Sequence, residues 1–360
     1  MAFQGWENSI LGFVRPDAWL NVGFQVNRPN DPIDGIFGDL KTDNIAAKWQ
    51  YIASEHQVPM MAQFHAFDVE AQQTVRKPVN TKDIEKGLIK VKQNQSERLL
   101  ALIKSGVQGD QALWNYVIND AYNLSEQVVT RTKVAKNEVL ATGKLTINEN
   151  NLSLEVDYGV PDNNKAFGIT IATDADVPAQ IQAIIDAAIE QGTTINAIVT
   201  SRKVINQLRA NKSVQTVING TLAQGATVSM AALENWLSTE YGIDRVITND
   251  QTYNAATGLD ANGKPNVTIR RYYPQDKITF MALNNAGRVG VGLWGDPPEV
   301  ELSRFAAKVG TSGSASPYVY ITQYAENDPA IVWTKASGLF IPVVYNPTTI
   351  FIATVSTTGA

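Results

Sequence analysis

The longest regular pattern in the sequence lies between Asp110 and Ala141, where apolar residues recur every three or four positions. This spacing places them on one face of an α-helix, which Gly109 precedes and Gly143 ends. A helix of roughly 30 residues would be about 45 Å long, well above the usual length, so it needs a long partner. The strands predicted next, KLTINENNLSLEVDYGVP, are the nearest candidates.

Upstream of this helix, the segment from Gln57 to Lys92 alternates between apolar and polar residues. Its clearest alternation sets Leu88, Ile89 and Val91 against Lys86, Lys90 and Lys92. The pattern predicts strands on either side of a polar tip near Arg76–Lys82, hence a long two-stranded excursion. Because an isolated hairpin is marginal in water, we expect it to rest on another surface.

The beginning of the chain has no basic leader and no continuous apolar stretch, so we expect neither a signal peptide nor an anchor. It carries large aromatic side chains but is interrupted by Pro16 and Asp17. This composition predicts extended chain that lies against another surface. These aromatic residues include Trp6, Phe13, Trp19 and Phe24.

The middle of the sequence alternates between helices and strands. The predicted helices are Val177–Gln191, with Asp176 as N-cap and Pro178 in the first turn, then Arg202–Ala210, and Ser229–Glu240, which starts with Ser229 as its cap. The predicted strands are INAIVTS, IDRVITN, NVTIRRYY, KITFMAL and RVGVGLW. The block from about Ala166 to Gly295 is large enough to bury a core of its own, so we expect a domain there.

The C-terminal stretch TKASGLFIPVVYNPTTIFIATV has no charge from Leu339 to Val355. A membrane span needs about 20 unbroken apolar residues, and Pro342, Asn346 and Pro347 interrupt this run. The pattern therefore predicts two short buried strands.

Composition narrows the function. The formal net charge is −5, which argues against a protein that holds nucleic acid by neutralising its phosphates. Charged residues make up only 18% of the chain, below the average of roughly 25%, and a surface poor in charge favours extensive protein contact. The chain contains no cysteine, so burial alone must stabilise it.

Two glycine-rich stretches partly match nucleotide-binding motifs. Gly290, Gly292 and Gly295 fit G-x-G-x-x-G, but two prolines follow where a helix should begin. In GLDANGKP, a proline stands where a phosphate loop needs Ser or Thr, so a hairpin turn is the better interpretation. We expect no cofactor.

The sequence gives equally little indication of catalytic or metal-binding residues. His56 and His65 lack helical zinc-ligand spacing, and no nucleophile elbow occurs. The sequence also contains paired carboxylates of the kind glycosidases use, and such pairs are common on loops. They include Asp174 with Asp176 and Glu299 with Glu301.

The order of elements and several motifs resemble the major capsid proteins of tailed bacteriophages, which have the Hong Kong 97 fold. Among these, the resemblance is to the lambda-type branch, the major capsid protein E family. The motifs are VLATGKLTI and VDYG after the long helix, YGIDRVITNDQTY, GLWGDPPE and ENDPAIVWTKASGLFIPVVYNPTTIFIATV. The resemblance covers nearly the whole chain in order. PDNNKAFGITIATDADVPAQ departs from it, because relatives tend to have a Trp-containing segment there.

The resemblance implies an α+β fold with an arm, an extended β-hairpin loop, a peripheral domain containing a long spine helix and a β-sheet, and an α/β axial domain. Its implied boundaries are 1–45 for the arm, 54–93 for the loop, 94–165 for the peripheral domain with the spine helix at 108–141, 166–295 for the axial domain, and 296–360 for C-terminal strands that return to the peripheral domain.

The resemblance also implies a structural function: pentamers and hexamers of the chain enclose double-stranded DNA in an icosahedral-type shell, without binding the DNA specifically. It implies portal, scaffold and decoration proteins as partners, no membrane, no catalytic residues and no metal, and location in the virion or, during assembly, the host cytoplasm. The expected subunit contacts are Phe64, Phe67, Arg76, Lys77 and Lys82 in the loop and Trp6 and Trp19 in the arm.

The sequence leaves three alternatives open. Some shells of this fold join a loop lysine to an asparagine, which would use Lys77 or Lys82 with Asn346, although lambda-type relatives generally use separate cement proteins. An encapsulin-like compartment has the same fold. A soluble hydrolase would use one of the carboxylate pairs.

Overall fold

The structure is a computed structural model that describes residues 31–62, 76–95, 111–149, 152–172, 174–221, 225–259, 265–300, 315–316, 318–328 and 330–357. The helices are α1 Ser54–Gln57, α2 Gln111–Thr142, α3 Asp162–Lys165, α4 Val177–Glu190, α5 Arg202–Ala210, α6 Lys212–Asn219 and α7 Met230–Tyr241. Short 3₁₀ turns lie at Pro32–Gly35 and Pro347–Thr349.

The strands of the first half are β1 Phe37–Lys41, β2 Ala46–Tyr51, β3 Asn80–Glu85, β4 Gly87–Gln95, β5 Lys144–Glu149, β6 Leu152–Asp157, β7 Phe167–Thr170 and β8 Ala197–Thr200. Those of the second half are β9 Arg245–Thr248, β10 Thr252–Leu259, β11 Pro265–Arg271, β12 Lys277–Met281, β13 Gly290–Gly295, β14 Ala315–Ser316, β15 Val319–Asn327, β16 Ala330–Val344 and β17 Ile350–Ser356.

Two sheets organise the described residues. A six-stranded sheet has the order β1-β13-β16-β15-β14, with β4 also paired to β16. A five-stranded sheet has the order β7-β17-β12-β8-β9. The ribbons β2–β3, β5–β6 and β10–β11 are separate antiparallel pairs.

The long helix α2 packs on the six-stranded sheet, as its apolar period predicts. Its residues Val128, Val139 and Leu140 are fully buried. Gly338 of β16 permits the approach, because a Cβ there would lie 3.0 Å from Val128 Cγ1. The predicted partner was incomplete: the helix contacts the hairpin β5–β6, but β16 is its most extensive neighbour.

The α/β block has a second core, in which α4 and its neighbouring helices cover the five-stranded sheet. The predicted caps are confirmed. Asp176 accepts a hydrogen bond from Ala179 N at 3.2 Å, and Ser229 Oγ accepts one from Ala232 N at 3.1 Å. Local side-chain chemistry therefore starts both helices where the sequence predicts.

The last two strands are both present, but they join different sheets. β16 joins the sheet under α2, as predicted, whereas β17 lies between β7 and β12 in the five-stranded sheet. The expectation that all C-terminal strands return to the sheet backed by the spine helix is therefore wrong for β17. The physical reason is the 3₁₀ turn Pro347–Thr349, which separates the two strands and is capped by Asn346.

Strand β13 also crosses between the predicted units. The sequence predicts this strand in the α/β block, yet it pairs with β1 and β16 in the six-stranded sheet. The chain thus passes between the two sheets more often than the local pattern indicates.

The predicted two-stranded excursion is corrected in its strand pairing. Strand β3 pairs with β2, which lies upstream of the predicted loop, and β4 pairs with β16 in the main sheet. The alternation in β4 is that of a strand with one buried face, because Ile89 and Val91 pack against the core while Lys90 and Lys92 are exposed.

Tyr158 gives a test of the core. Its side chain is fully buried, and its hydroxyl donates to Pro342 O at 2.7 Å. Burial raises the pKa of Tyr158 above its ordinary value of 10, so the stability that the protonated phenol provides is full below about pH 10 and falls as pH rises further. We expect Tyr158→Phe to lower the free energy of unfolding by about 1–3 kcal/mol at pH 8, because Pro342 O loses its donor.

The measurement is urea unfolding at pH 8 and at pH 10.5, with Tyr345→Phe as control because Tyr345 is 40% exposed. The difference between Tyr158→Phe and wild type should shrink at the higher pH. A difference that stays constant across both pH values would contradict the assigned role of the buried phenol.

Candidate functional site

The last part of the predicted arm is sealed into the core. We call Asp31–Lys41 the arm root. Asp31 Oδ1 accepts a hydrogen bond from Ile33 N at 3.0 Å and so begins the turn Pro32–Gly35. The side chains of Ile33, Ile36 and Phe37 are fully buried, and Phe37 begins the parallel pairing of β1 with β13. The arm root is therefore part of the folded body.

A buried lysine of the spine helix holds the arm root. Lys136 Nζ lies 2.9 Å from Asp34 Oδ1 and 3.0 Å from Asp39 Oδ1, and only 2% of its side chain is exposed. Lys133 Nζ, equally buried, lies 3.9 Å from Asp34 Oδ2. Buried lysines need such partners, because an unpaired charge in the interior is very costly. Asp34 and Asp39 thus supply the negative charge that allows this face of the helix to bury two lysines.

A second set of buried polar groups connects the arm root to both sheets. Asn137 Nδ2 donates to Asp31 Oδ2 at 3.3 Å, and Asn249 Nδ2 donates to Asp31 Oδ1 at 3.1 Å and to Asn137 Oδ1 at 2.9 Å. Asn249 directly follows β9 of the five-stranded sheet. Burial raises the pKa of Asp31, and the hydrogen bonds that it accepts oppose this rise. We call these three residues, with Asp34, Asp39, Lys133 and Lys136, the arm-root network.

The glycines of β13 make room for this network. A Cβ at Gly292 would lie 2.6 Å from Asp39 Oδ1 and 3.1 Å from Lys136 Cε. A Cβ at Gly290 would lie 2.3 Å from Val343 O. The G-x-G-x-x-G match therefore lies inside a paired strand, where the glycines permit close packing.

Lys86 fills a similar position between β3 and β4. Its Nζ donates to Thr42 O at 2.9 Å, Asn44 O at 2.6 Å and Trp294 O at 3.1 Å. Burial lowers the pKa of Lys86. A Cβ at Gly295 would lie 3.0 Å from Lys86 Nζ, so the third glycine of the motif again stands beside a buried lysine.

The described loop cations contact their own chain. Lys77 Nζ donates to Gln57 O at 3.1 Å, and Lys82 Nζ donates to Asp157 O at 3.2 Å. Arg76 is exposed at the start of the described return segment. The structure brings Lys77 and Lys82 to two different parts of the subunit, and their predicted contacts with a neighbouring subunit stay a prediction.

The remaining predicted contact residues, Trp6, Trp19, Phe64 and Phe67, lie outside the described residues. Sequence reasoning missed two methionines that the structure exposes just before Phe64. Met60 is 73% exposed and Met61 is 90% exposed. Apolar side chains this open are candidates for contact with another molecule. The signal was present in the sequence as an apolar pair beside Pro59.

The carboxylate pairs have structural partners where they are described. Asp174 forms a 2.8 Å ion pair with Lys212, while Asp176 caps α4. Glu299 is buried and accepts from Lys335 and from Lys90, the latter at 3.0 Å. Burial alone would raise the pKa of Glu299, but the two lysines outweigh this and lower it. Glu301 lies outside the described residues.

Other features of the described chain bear on the candidate sites. His56 lies 3.4 Å from Glu55 in α1, and His65 lies outside the described residues. No cluster of three or more side chains suited to hold a metal ion occurs in the described ranges. Among the described helices, none is long and apolar enough to cross a membrane.

The fold defines a class of protein. Similar folds occur in a crystal structure described as the capsid protein of an E. coli CFT073 prophage, with 15% identity, a TM-score of 0.55 and coverage of 94% of this chain and 97% of the other. A phage-related protein from Bordetella bronchiseptica RB50 has 8% identity, a TM-score of 0.56 and coverage of 95% and 97%. Mycobacterium phage Cain gives 9% identity, a TM-score of 0.50 and coverage of 92% of both chains. This is the Hong Kong 97-type capsid fold.

A match to a family model then identifies the chain. The chain belongs to the family described as phage major capsid protein E, whose model matches residues 34–355. No curated protein sequence matches it significantly. The resemblance inferred from the sequence motifs is confirmed, and with it the function of a major capsid protein, which associates with itself and is located in the virion.

Proposed function

We propose that the chain forms pentamers and hexamers in which the loop that precedes β3, residues 59–79, lies on a neighbouring subunit. The residues that precede the arm root, 1–30, would lie along a further neighbour. The α/β block built on the five-stranded sheet, which includes β17, would meet its copies around the five- and six-fold axes, and α2 with the six-stranded sheet, which includes β13, would form the shell between them. The role of the chain in this assembly is structural and not catalytic.

One observation carries this proposal: the loop exposes apolar side chains next to residues that are bonded to the body of the subunit. Met60 and Met61 are 73% and 90% exposed in the single chain, and Val58 and Val79 are 46% and 53% exposed. Burying a methionine side chain contributes about 1.5–3 kcal/mol. Identical neighbours around a rotation axis can supply this burial many times in one closed particle.

The proposed partners follow from the shell. Packaged double-stranded DNA is enclosed without specific binding, which agrees with the net charge of −5, because phosphate neutralisation needs clustered cations. Portal, scaffold and decoration proteins complete the particle, and assembly takes place in the host cytoplasm.

The test is particle formation. The wild-type chain is expected to form closed shells in negative-stain electron microscopy and fast-sedimenting species in ultracentrifugation. Purification only as a well-ordered monomer would contradict the proposed function.

The double variant Arg76→Glu and Lys77→Glu tests the loop contact. It is expected to lower shell yield by about tenfold or more, since reversing two charges at an interface costs at least ~1.4 kcal/mol. Arg76→Lys with Lys77→Arg is the matched control, because it keeps both charges. Wild-type shell yield from the double glutamate variant would remove these residues from the contact.

A further inference from the structure

The first residues of the loop are bonded to the turn between the last two strands. We call Ile52–Val58 the loop root. Ser54 N and Ser54 Oγ both donate to Thr348 Oγ1, at 3.0 Å and 2.9 Å. Both residues are buried, although they are far apart in sequence. A single hydroxyl thus accepts the backbone and the side chain of the residue at which α1 begins.

Asn346 completes this contact. Thr348 Oγ1 donates to Asn346 Oδ1 at 2.7 Å, and Asn346 Nδ2 donates to Ile52 O at 3.2 Å. The hydroxyl groups therefore form one directed chain, from Ser54 to Thr348 to Asn346, which returns to the loop root at Ile52. We call Ser54, Asn346 and Thr348 the loop latch.

The loop latch is bonded to α3, which is bonded in turn to the end of α4. Asn164 of α3 is fully buried and donates from Nδ2 to Thr348 O at 3.1 Å, while Gln191 Nε2 donates to Asn164 Oδ1 at 2.9 Å. Gly192, which has a φ of +71°, lies under the loop root, because a Cβ there would lie 2.2 Å from Val58 Cγ2. The loop root is therefore held between the turn on one side and the end of α4 on the other.

We infer that the loop latch is a positioning site for assembly: Ser54, Asn346 and Thr348 set the direction in which the loop leaves the subunit. This inference rests on the proposed contact between the loop and a neighbouring subunit. The direction of the loop at its root matters, because an angular error there displaces the far end of the loop by a distance that grows with the length of the loop. An extended strand of ten residues spans about 33 Å, so a rotation of about 10° at its root moves its far end by ~6 Å.

The experiment compares Thr348→Val with Thr348→Ser. Valine keeps the shape of threonine but removes the acceptor for Ser54, whereas serine keeps the hydroxyl. In Thr348→Val, the Ser54 amide is expected to exchange its hydrogen at least about tenfold faster, and shells are expected to be fewer and to vary in diameter. Thr348→Ser should retain wild-type exchange and wild-type shells. Thr354→Val is the control for a threonine that is exposed on β17.

Each outcome decides a separate question. Faster exchange at Ser54 in Thr348→Val, with shells of wild-type yield and diameter, would overturn the positioning role. Unchanged exchange would overturn the latch itself. If the wild-type chain forms no shells, the proposed function fails, and the exchange at Ser54 still tests the latch. If Thr348→Val does not fold, Ser54→Ala carries the same comparison, because it removes one hydroxyl from the loop side alone.

Discussion

Replacing residues 59–76 with Gly-Ser-Gly is expected to give a folded subunit that forms no shells. Both sides of the cut are held independently of the deleted residues. Lys77 Nζ already contacts Gln57 O at 3.1 Å, and the ladder β2–β3 closes at Tyr51 and Asn80. The deletion removes Met60 and Met61, whose burial in a neighbour would contribute about 3–6 kcal/mol together. Particle yield should therefore fall by at least ~100-fold.

The measurement combines sedimentation velocity with thermal unfolding. The deletion variant should sediment as a small species while it keeps a cooperative unfolding transition. Two substitutions separate apolar burial from loop length: Met60→Ser with Met61→Ser should also lose shells, and Met60→Leu with Met61→Leu should form them. Normal shells from the deletion variant would contradict the role of the loop as a contact between subunits.

Local features of the fold were predictable because local chemistry produces them. The period of the spine helix, the Asp176 cap and the Ser229 cap each depend on residues a few positions apart. The two buried strands at the C-terminal end were predictable for the same reason, because an uncharged run extends from Leu339 to Val355. This run covers the last part of β16 and most of β17, whereas β16 begins earlier than predicted, at Ala330, and contains Lys335.

Strand pairing was less predictable, because partners lie far apart in the sequence. An uncharged strand fits the interior of either sheet, and nothing within IFIATV says that β17 joins β12 instead of the sheet of β16. The same holds for β4, whose half-buried alternation suits a hairpin and a sheet edge equally well. Register and partner follow from the assembled core, and the local pattern does not contain them.

The arm-root network was missed for a different reason. Lysines in a helix are normally counted as its solvated face, yet Lys133 and Lys136 are buried beside Asn137. Two signals could have revealed them. The three residues share one helix face with the apolar positions, and β13 carries glycines at alternate positions, which indicates close approach of other atoms.

That network gives the substitution with the largest expected loss of stability. Lys136→Met is expected to lower the free energy of unfolding by about 3–5 kcal/mol, because it leaves Asp34 and Asp39 without the ammonium group that they share. The midpoint of urea unfolding of the unassembled subunit measures this. Lys41→Met is the matched control, because Lys41 also pairs with a carboxylate, Asp296 at 2.6 Å, but is 38% exposed. A pair this open contributes about 0–1 kcal/mol.

A second variant separates charge from packing. Asp39→Asn in the Lys136→Met background removes the more buried of the two carboxylates. The Asn oxygen can still accept the hydrogen bond that Trp294 Nε1 donates to Asp39 Oδ1 at 3.1 Å. Asp34 keeps Lys133 nearby and is 30% exposed, so it can remain hydrated. The double variant should therefore be more stable than Lys136→Met alone. If both variants unfold at the same urea concentration, the loss comes from packing around the lysine stem, and the carboxylates are not what requires a cation beneath the arm root.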